Sequence, residues 1–168
     1  MTTRVLLVDD QSLLRMGFRM VLETEPDIEV VGEAGDGAQG VAMTRALSPD
    51  VVLMDVRMPV MGGIEATRQI VDSGSPSRIL VLTTFDLDEF VFAALRAGAS
   101  GFLLKDALPN ELTSAIRAVH AGDAAVSTRI TKRMLELFAT AISTSRSRSL
   151  RSCSSSSSGD LPVAGLGR

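Results

Sequence analysis

The residues of this chain best suited to chemistry are Asp9, Asp10, Asp55, Thr83 and Lys105, because each stands where a short apolar run stops. RVLLV (4–8) runs into Asp9 and Asp10, VVLM (51–54) into Asp55, RILVL (78–82) into Thr83 and GFLL (101–104) into Lys105. Three carboxylates, a hydroxyl and an ammonium so placed could build one pocket that accepts a phosphoryl group. Carboxylates about 4 Å apart at an effective dielectric near 20 repel by roughly 4 kcal/mol per pair. Either a proton is retained or a divalent cation binds. Oxygen-only ligands favour a hard ion, and a small site with few carboxylates suits Mg²⁺. That ion, with Lys105 as a second and fixed cation, would offset charge on an incoming phosphoryl group. One carboxylate is then free to act as in-line nucleophile and become an aspartyl phosphate. Asp55 is best placed for this, as the lone acid on what should be the central strand. Any one of these acids alone reads as a cap for the next helix or loop; the four strand ends together do not.

Convergence of these side chains requires a parallel sheet, whose C-terminal edges all lie on one side. The pattern supplies one. Short runs rich in Val, Ile and Leu alternate with helical periodicity five times. Helical stretches follow Asp10 (Leu14, Phe18, Val21 and Leu22 in register) and occupy 38–47, 64–74, 88–98 and 109–121. IEVVGEA (28–34) is the remaining strand. Ser48–Pro49, Gly74 and Gly98 stop three of the helices, and Pro109 suits the first turn of the last. Five βα units imply an α/β fold, a doubly wound five-stranded parallel sheet with helices on both faces.

Composition excludes other classes. Residues 1–142 carry 13 Lys+Arg against 19 Asp+Glu, a net −6, which makes a poor stand-alone nucleic-acid binder. Residues 143–168 carry four Arg against Asp160, a net +3. The single Cys153 rules out an internal disulfide and fits a reducing compartment. No uncharged stretch approaches the length of a membrane span, and the N-terminus reads as a strand, not a signal peptide. A cytoplasmic protein with no membrane contact is expected.

The chain resembles the receiver domain of bacterial two-component response regulators. The shared elements are the Asp9–Asp10 pair, MDVRMPVMGG around Asp55, Thr83, and GFLLKD ending on Lys105. The spacings of 28 residues from Asp55 to Thr83 and 22 onward to Lys105 are similar too. VLTTFDLDEFVF and ALRAGASGFLLKDA are most similar to the NarL/LuxR class. The resemblance covers roughly residues 2–122 and implies a (βα)5, flavodoxin-like receiver fold. It implies that Asp55 receives a phosphoryl group from a sensor histidine kinase. Mg²⁺ would be held by Asp10 and Asp55, by Asp9 through water and by the Arg57 backbone carbonyl. Thr83 and Lys105 would contact phosphoryl oxygens, and Phe102 would swing inward as Thr83 moves. A homodimer through the 88–121 face, with Phe90 and Phe92 on it, is implied as well. Asp106 follows Lys105 where many receivers have Pro, so no cis-Pro is expected.

Residues 1–122 therefore form the expected receiver domain, and 123–142 an amphipathic linker helix with its stripe at Ile130, Met134, Leu137, Phe138 and Ala141. In 143–158, ten of sixteen residues are Ser, a composition that buries too little apolar surface to fold. The tail 143–168 is expected to be disordered. NarL/LuxR-class regulators usually continue into a helix-turn-helix, and nothing after residue 142 has the apolar periodicity for one. The abrupt composition break suggests a truncated or frameshifted relative, for which DNA binding is not expected.

Other signals carry less. Gly35-Asp36-Gly37-Ala38-Gln39-Gly40 spells G-x-G-x-x-G, yet it follows the second strand and leaves Asp9, Asp10, Thr83 and Lys105 unexplained. A tight turn through Gly35 and Gly37 accounts for it. His120, the only histidine, suits the C-terminal end of a helix dipole. Three functions remain: a phosphorylatable switch, a stand-alone receiver acting as protein binder or phosphate sink, and a Mg²⁺-dependent phosphatase. The first is preferred, with no turnover of an independent substrate.

Overall fold

A computed structural model describes residues 2–84, 88–123, 125, 126, 135, 136 and 139, with backbone alone for 88–91, 125 and 126. Strands and helices alternate: β1 (Thr3–Val8), α1 (Ser12–Glu23), β2 (Ile28–Ala34), α2 (Gly37–Leu47), β3 (Val51–Asp55), α3 (Gly63–Asp72) and β4 (Arg78–Thr83). Then come α4 (Asp88–Ala97), β5 (Gly101–Leu104), α5 (Pro109–His120) and a short β6 (Ala125–Val126). The five long strands and five helices are those the apolar runs and their Gly/Pro stops predict. All strand pairs are parallel, in the order β2-β1-β3-β4-β5-β6, so the strand carrying Asp55 lies inside the sheet.

Side chains alternate across the sheet because successive strand residues face opposite sides. Val5, Leu7, Leu53, Leu80, Leu82 and Leu103 join Leu22 of α1 and Leu112, Ile116 and Val119 of α5 in one buried cluster. Leu6, Val8, Val52, Met54, Ile79, Val81 and Phe102 alternate onto the other side and are equally buried. There α2, α3 and α4 pack in succession. A sheet buried on both faces needs near-continuous apolar strands, which is why these runs carry no polar alternation.

The sixth strand was not expected. Its two residues pair Gly101 with Ala125 and Phe102 with Val126, extending the sheet past residue 122. Two residues are too few for any periodicity to register. Residues Met1–Thr131 form one compact unit. Of the linker helix expected over 123–142, Ala125 and Val126 form the strand β6 instead, Leu135, Glu136 and Ala139 are helical, and the remainder of 127–142 lies outside the described residues. The tail 143–168 lies outside the described residues, as does the side chain of Phe90, while Phe92 is half-buried.

Two readings are refined. Neither Gly35 nor Gly37 has a positive φ. Instead a Cβ on Gly37 would lie 2.4 Å from the Met61 carbonyl oxygen, and one on Gly40 2.9 Å from Val8. Gly37 and Gly40 permit close approach, the chain bends at Gly35 and Asp36, and Asp36 caps α2 by accepting from the Gln39 N–H at 2.8 Å. His120 does end α5, but its Nδ1 also shares a 2.8 Å hydrogen bond with the Thr3 hydroxyl, tying α5 to the start of β1. No helix among the described residues is long and apolar enough to cross a membrane.

Candidate functional site

The C-terminal edge of the sheet gathers the predicted acids. Carboxylate oxygens of Asp9, Asp10 and Asp55 all lie within 4.8 Å of one another. The Lys105 ammonium reaches between two of them, 3.1 Å from Asp9 Oδ2 and 3.0 Å from Asp55 Oδ1. Asp9 and Asp55 are 2% and 4% exposed, whereas Asp10 stands open to solvent. Burying like charges this way is tolerable only with a cation among them.

Backbone geometry holds each acid in place. The Asp9 N–H donates to the Ala34 carbonyl at 3.0 Å, and the Gln11 N–H donates to Asp9 Oδ1 at 2.9 Å. Asp9 Oδ2 is buried without a hydrogen bond, its contact with Lys105 being ionic. A buried acceptor left in that state, in an all-oxygen donor set, fits a hard divalent cation. The Arg57 backbone N–H bonds the Asp55 carboxylate. The loop beyond, MPVMG, folds back so that α3 starts against Asp55: a Cβ on Gly63 would fall 1.8 Å from the Asp55 carbonyl oxygen. Val60 in that loop takes a φ of 67°, an unfavourable conformation for a β-branched residue. The Gly37 N–H pins the loop by donating to the Met61 carbonyl at 3.0 Å.

Burial, and then repulsion from Asp9, push the Asp55 carboxyl up to about 6, while Lys105 pulls the other way. Burial works against the Lys105 charge, but Asp55 and Asp9 outweigh it and hold the ammonium above its usual value. The pocket therefore keeps one fixed cation and one carboxyl poised between its two forms. A cleft of about 220 Å³ opens over them, lined by Asp10, Gln11, Asp55, Arg57, Thr83 and Lys105, with Thr84 and Val56 at its wall.

The family described as Response regulator receiver domain matches residues 5–117, two thirds of the chain. The chain belongs to the response regulator receiver family. Relatives include the transcriptional regulatory proteins YxjL and LiaR of Bacillus subtilis. YxjL is 52% identical over 72% of this chain and 56% of its own length, LiaR 46% over 79% and 63%. The nitrate/nitrite response regulator NarL of Escherichia coli is 39% identical over 76% of this chain and 59% of its own. This chain thus spans less than two thirds of the length of those regulators. Among solved structures, a LuxR-family two-component response regulator from Aurantimonas superposes with a TM-score of 0.78 at 40% identity, over 83% of this chain and 99% of that one. The signal receiver domain of NarL from Mycobacterium tuberculosis gives 0.70 at 37%, over 72% and 98%.

The receiver fold brings Asp9, Asp10, Asp55, Arg57, Thr83 and Lys105 together, whereas Phe102 does not line the cleft. Thr83 is buried at the end of β4, its hydroxyl donating to the Thr84 carbonyl at a long 3.3 Å. Its carbonyl accepts from the Lys105 N–H at 2.9 Å, so those two side chains leave adjacent rungs. Phe102 is 1% exposed, already turned inside the fold. Arg57 lines the cleft, and no cis peptide occurs among the described residues. Sequence reading missed Gln11 and Gly63, which act through backbone atoms. It also missed Arg15, whose Nη1 donates to the Asp9 carbonyl. Only the placement of Arg15 one turn into the helix after Asp9–Asp10 hinted at it.

Proposed function

We propose that this receiver is a phosphorylatable signalling switch in which Asp55 takes a phosphoryl group from a phosphohistidine on a sensor histidine kinase. The observation that carries the reading is the Lys105 ammonium lodged 3.0–3.1 Å from Asp55 and Asp9, with Asp10 completing the acidic cluster. An Asp55 carboxylate oxygen forms a bond to phosphorus as the phosphorus–nitrogen bond of the donor breaks. The imidazole nitrogen keeps the bonding pair and takes a proton from solvent. Asp9, Asp10, Asp55 and the Arg57 carbonyl would hold Mg²⁺, which supplies charge neutralisation for the transferring group. Lys105 then has a new anion to pair with. The long Thr83 bond to its neighbour is one that a phosphoryl oxygen could replace. Phe102, inside the fold beside Val81, would stay packed in the form that Thr83 favours after turning. The switch is a population shift set by how much better the phosphoryl group fits that form.

A protein donor is favoured by the surface next to the cleft. Leu13, Met16 and Met20 of α1 are exposed at helical spacing, an apolar stripe beginning one turn from Asp10. On this reading the protein works in the cytoplasm beside its kinase. It turns over no substrate other than its own phosphoryl group and does not by itself bind DNA in a sequence-specific way. A homodimer through the 88–121 face belongs to the same proposal. Incubation with acetyl phosphate and Mg²⁺ followed by intact-mass measurement tests it. One phosphoryl group per chain, absent in Asp55→Asn, is expected; equal uptake by Asp55→Asn would overturn the assignment.

A further inference from the structure

The acids of the pocket sit on a loop that a basic residue outside the pocket holds. Arg15 rises from the first turns of α1, and its Nη1 donates to the backbone carbonyl of Asp9. A peptide unit is planar, so fixing that oxygen also fixes the nitrogen and Cα of Asp10. Arg15 meets the neighbouring strand through an ion pair alone, its buried Nε making no hydrogen bond. Its Nε lies 3.4 Å from Glu33 Oε1 on β2, with the side chains 19% and 30% exposed. The other Glu33 oxygen accepts from Arg19 Nη1 at 2.6 Å. Glu33 thus receives two arginines from α1, of which only Arg15 continues to the acid loop.

We propose that Arg15, braced by Glu33, is a positioning residue that clamps the peptide between Asp9 and Asp10 and so sets the affinity of the pocket for a divalent cation. The proposal rests on the cation reading given above, and it makes a prediction opposite in sign to simple electrostatics. A guanidinium near a cation site repels the ion, so deleting its charge should tighten binding if charge were its only contribution. Loss of a clamp does the reverse. The metal site then has to order its own loop on binding, and the ordering cost reduces affinity.

Calorimetric titration of Mg²⁺ into the full chain separates the two. Arg15→Met, which keeps the stem and removes the fork, is expected to weaken Mg²⁺ binding about tenfold. Arg19→Met, which removes the other Glu33 partner, should change it less than twofold. Glu33→Gln should fall between, and adding it to Arg15→Met should cause no further loss, because both act through one contact. Arg15→Lys, able to reach the carbonyl with a single donor, should restore part of the affinity. Affinity unchanged or tighter in Arg15→Met overturns the proposal. A metal-free readout keeps the clamp and the cation reading distinct. The amide resonances of Asp10 and Gln11 should move and broaden in Arg15→Met but not in Arg19→Met. Unmoved resonances overturn the clamp whatever the metal does. If the wild-type chain binds no Mg²⁺, the cation reading fails and with it the affinity claim, while moved resonances would still uphold the clamp itself.

Discussion

Asp55 is nearly inaccessible to water and lies beside Asp9, and burial followed by that repulsion raises its carboxyl to about 6. A carboxyl whose folded-state value is raised above the unfolded one stabilises the fold fully at pH below the unfolded value near 3.8. That contribution is lost as pH climbs through about 6. The rise converts to about 3 kcal/mol. Urea unfolding of the metal-free wild type and of Asp55→Asn should therefore show nearly equal stability at pH 4. At pH 8 the Asn variant should lead by up to about 3 kcal/mol, and a pH-independent gap would contradict the assignment. Saturating Mg²⁺ should close most of that gap for the wild type alone. Asp9, Asp10, Asp55 and Lys105 were legible in the amino-acid order because an ionisable residue ending an apolar strand stands out against its neighbours. Arg15 was not, since an arginine on an amphipathic helix is ordinary until the fold shows which carbonyl it meets.

The strands and helices were readable because each apolar run stops at a Gly, a Pro or a polar or charged residue and each helix keeps its periodicity. What stayed hidden were contacts between elements. Gly63 looked like part of a loop, yet α3 can begin against Asp55 only because that position lacks a Cβ. Gly63→Ala would place a carbon 1.8 Å from a backbone oxygen, and backbone cannot yield as a side chain can. We expect a loss of 2 kcal/mol or more, roughly the upper range of overpacking. The lowered midpoint in a urea melt should be accompanied by slower uptake of phosphoryl groups, as the displaced loop carries Arg57. Unaltered stability would mean that α3 can start elsewhere. Asp36 and Gly37 show the same limit: their motif was visible, but its purpose required knowing that α2 abuts the Met61 loop.

Within the unit Met1–Thr131, one parallel sheet is covered on both faces. Leu53 lies midway along β3 and belongs to the cluster under α1 and α5. Leu53→Ala should cost about 2–5 kcal/mol, the range for a buried leucine whose space does not collapse. Unfolding followed by circular dichroism should remain a single transition, because no part of the unit keeps a core without β3; two resolved steps would argue otherwise. The parallel, doubly wound character of the sheet followed from the alternation of strands and helices, whereas β6 did not, having too few residues to leave a signature. That small strand has a mechanical consequence. The polypeptide leaves the sheet hydrogen-bonded to the segment that carries Phe102, three positions before Lys105. The same stretch of backbone that carries the aromatic ring therefore fixes where the chain leaves the sheet, and it does so through two ladder rungs.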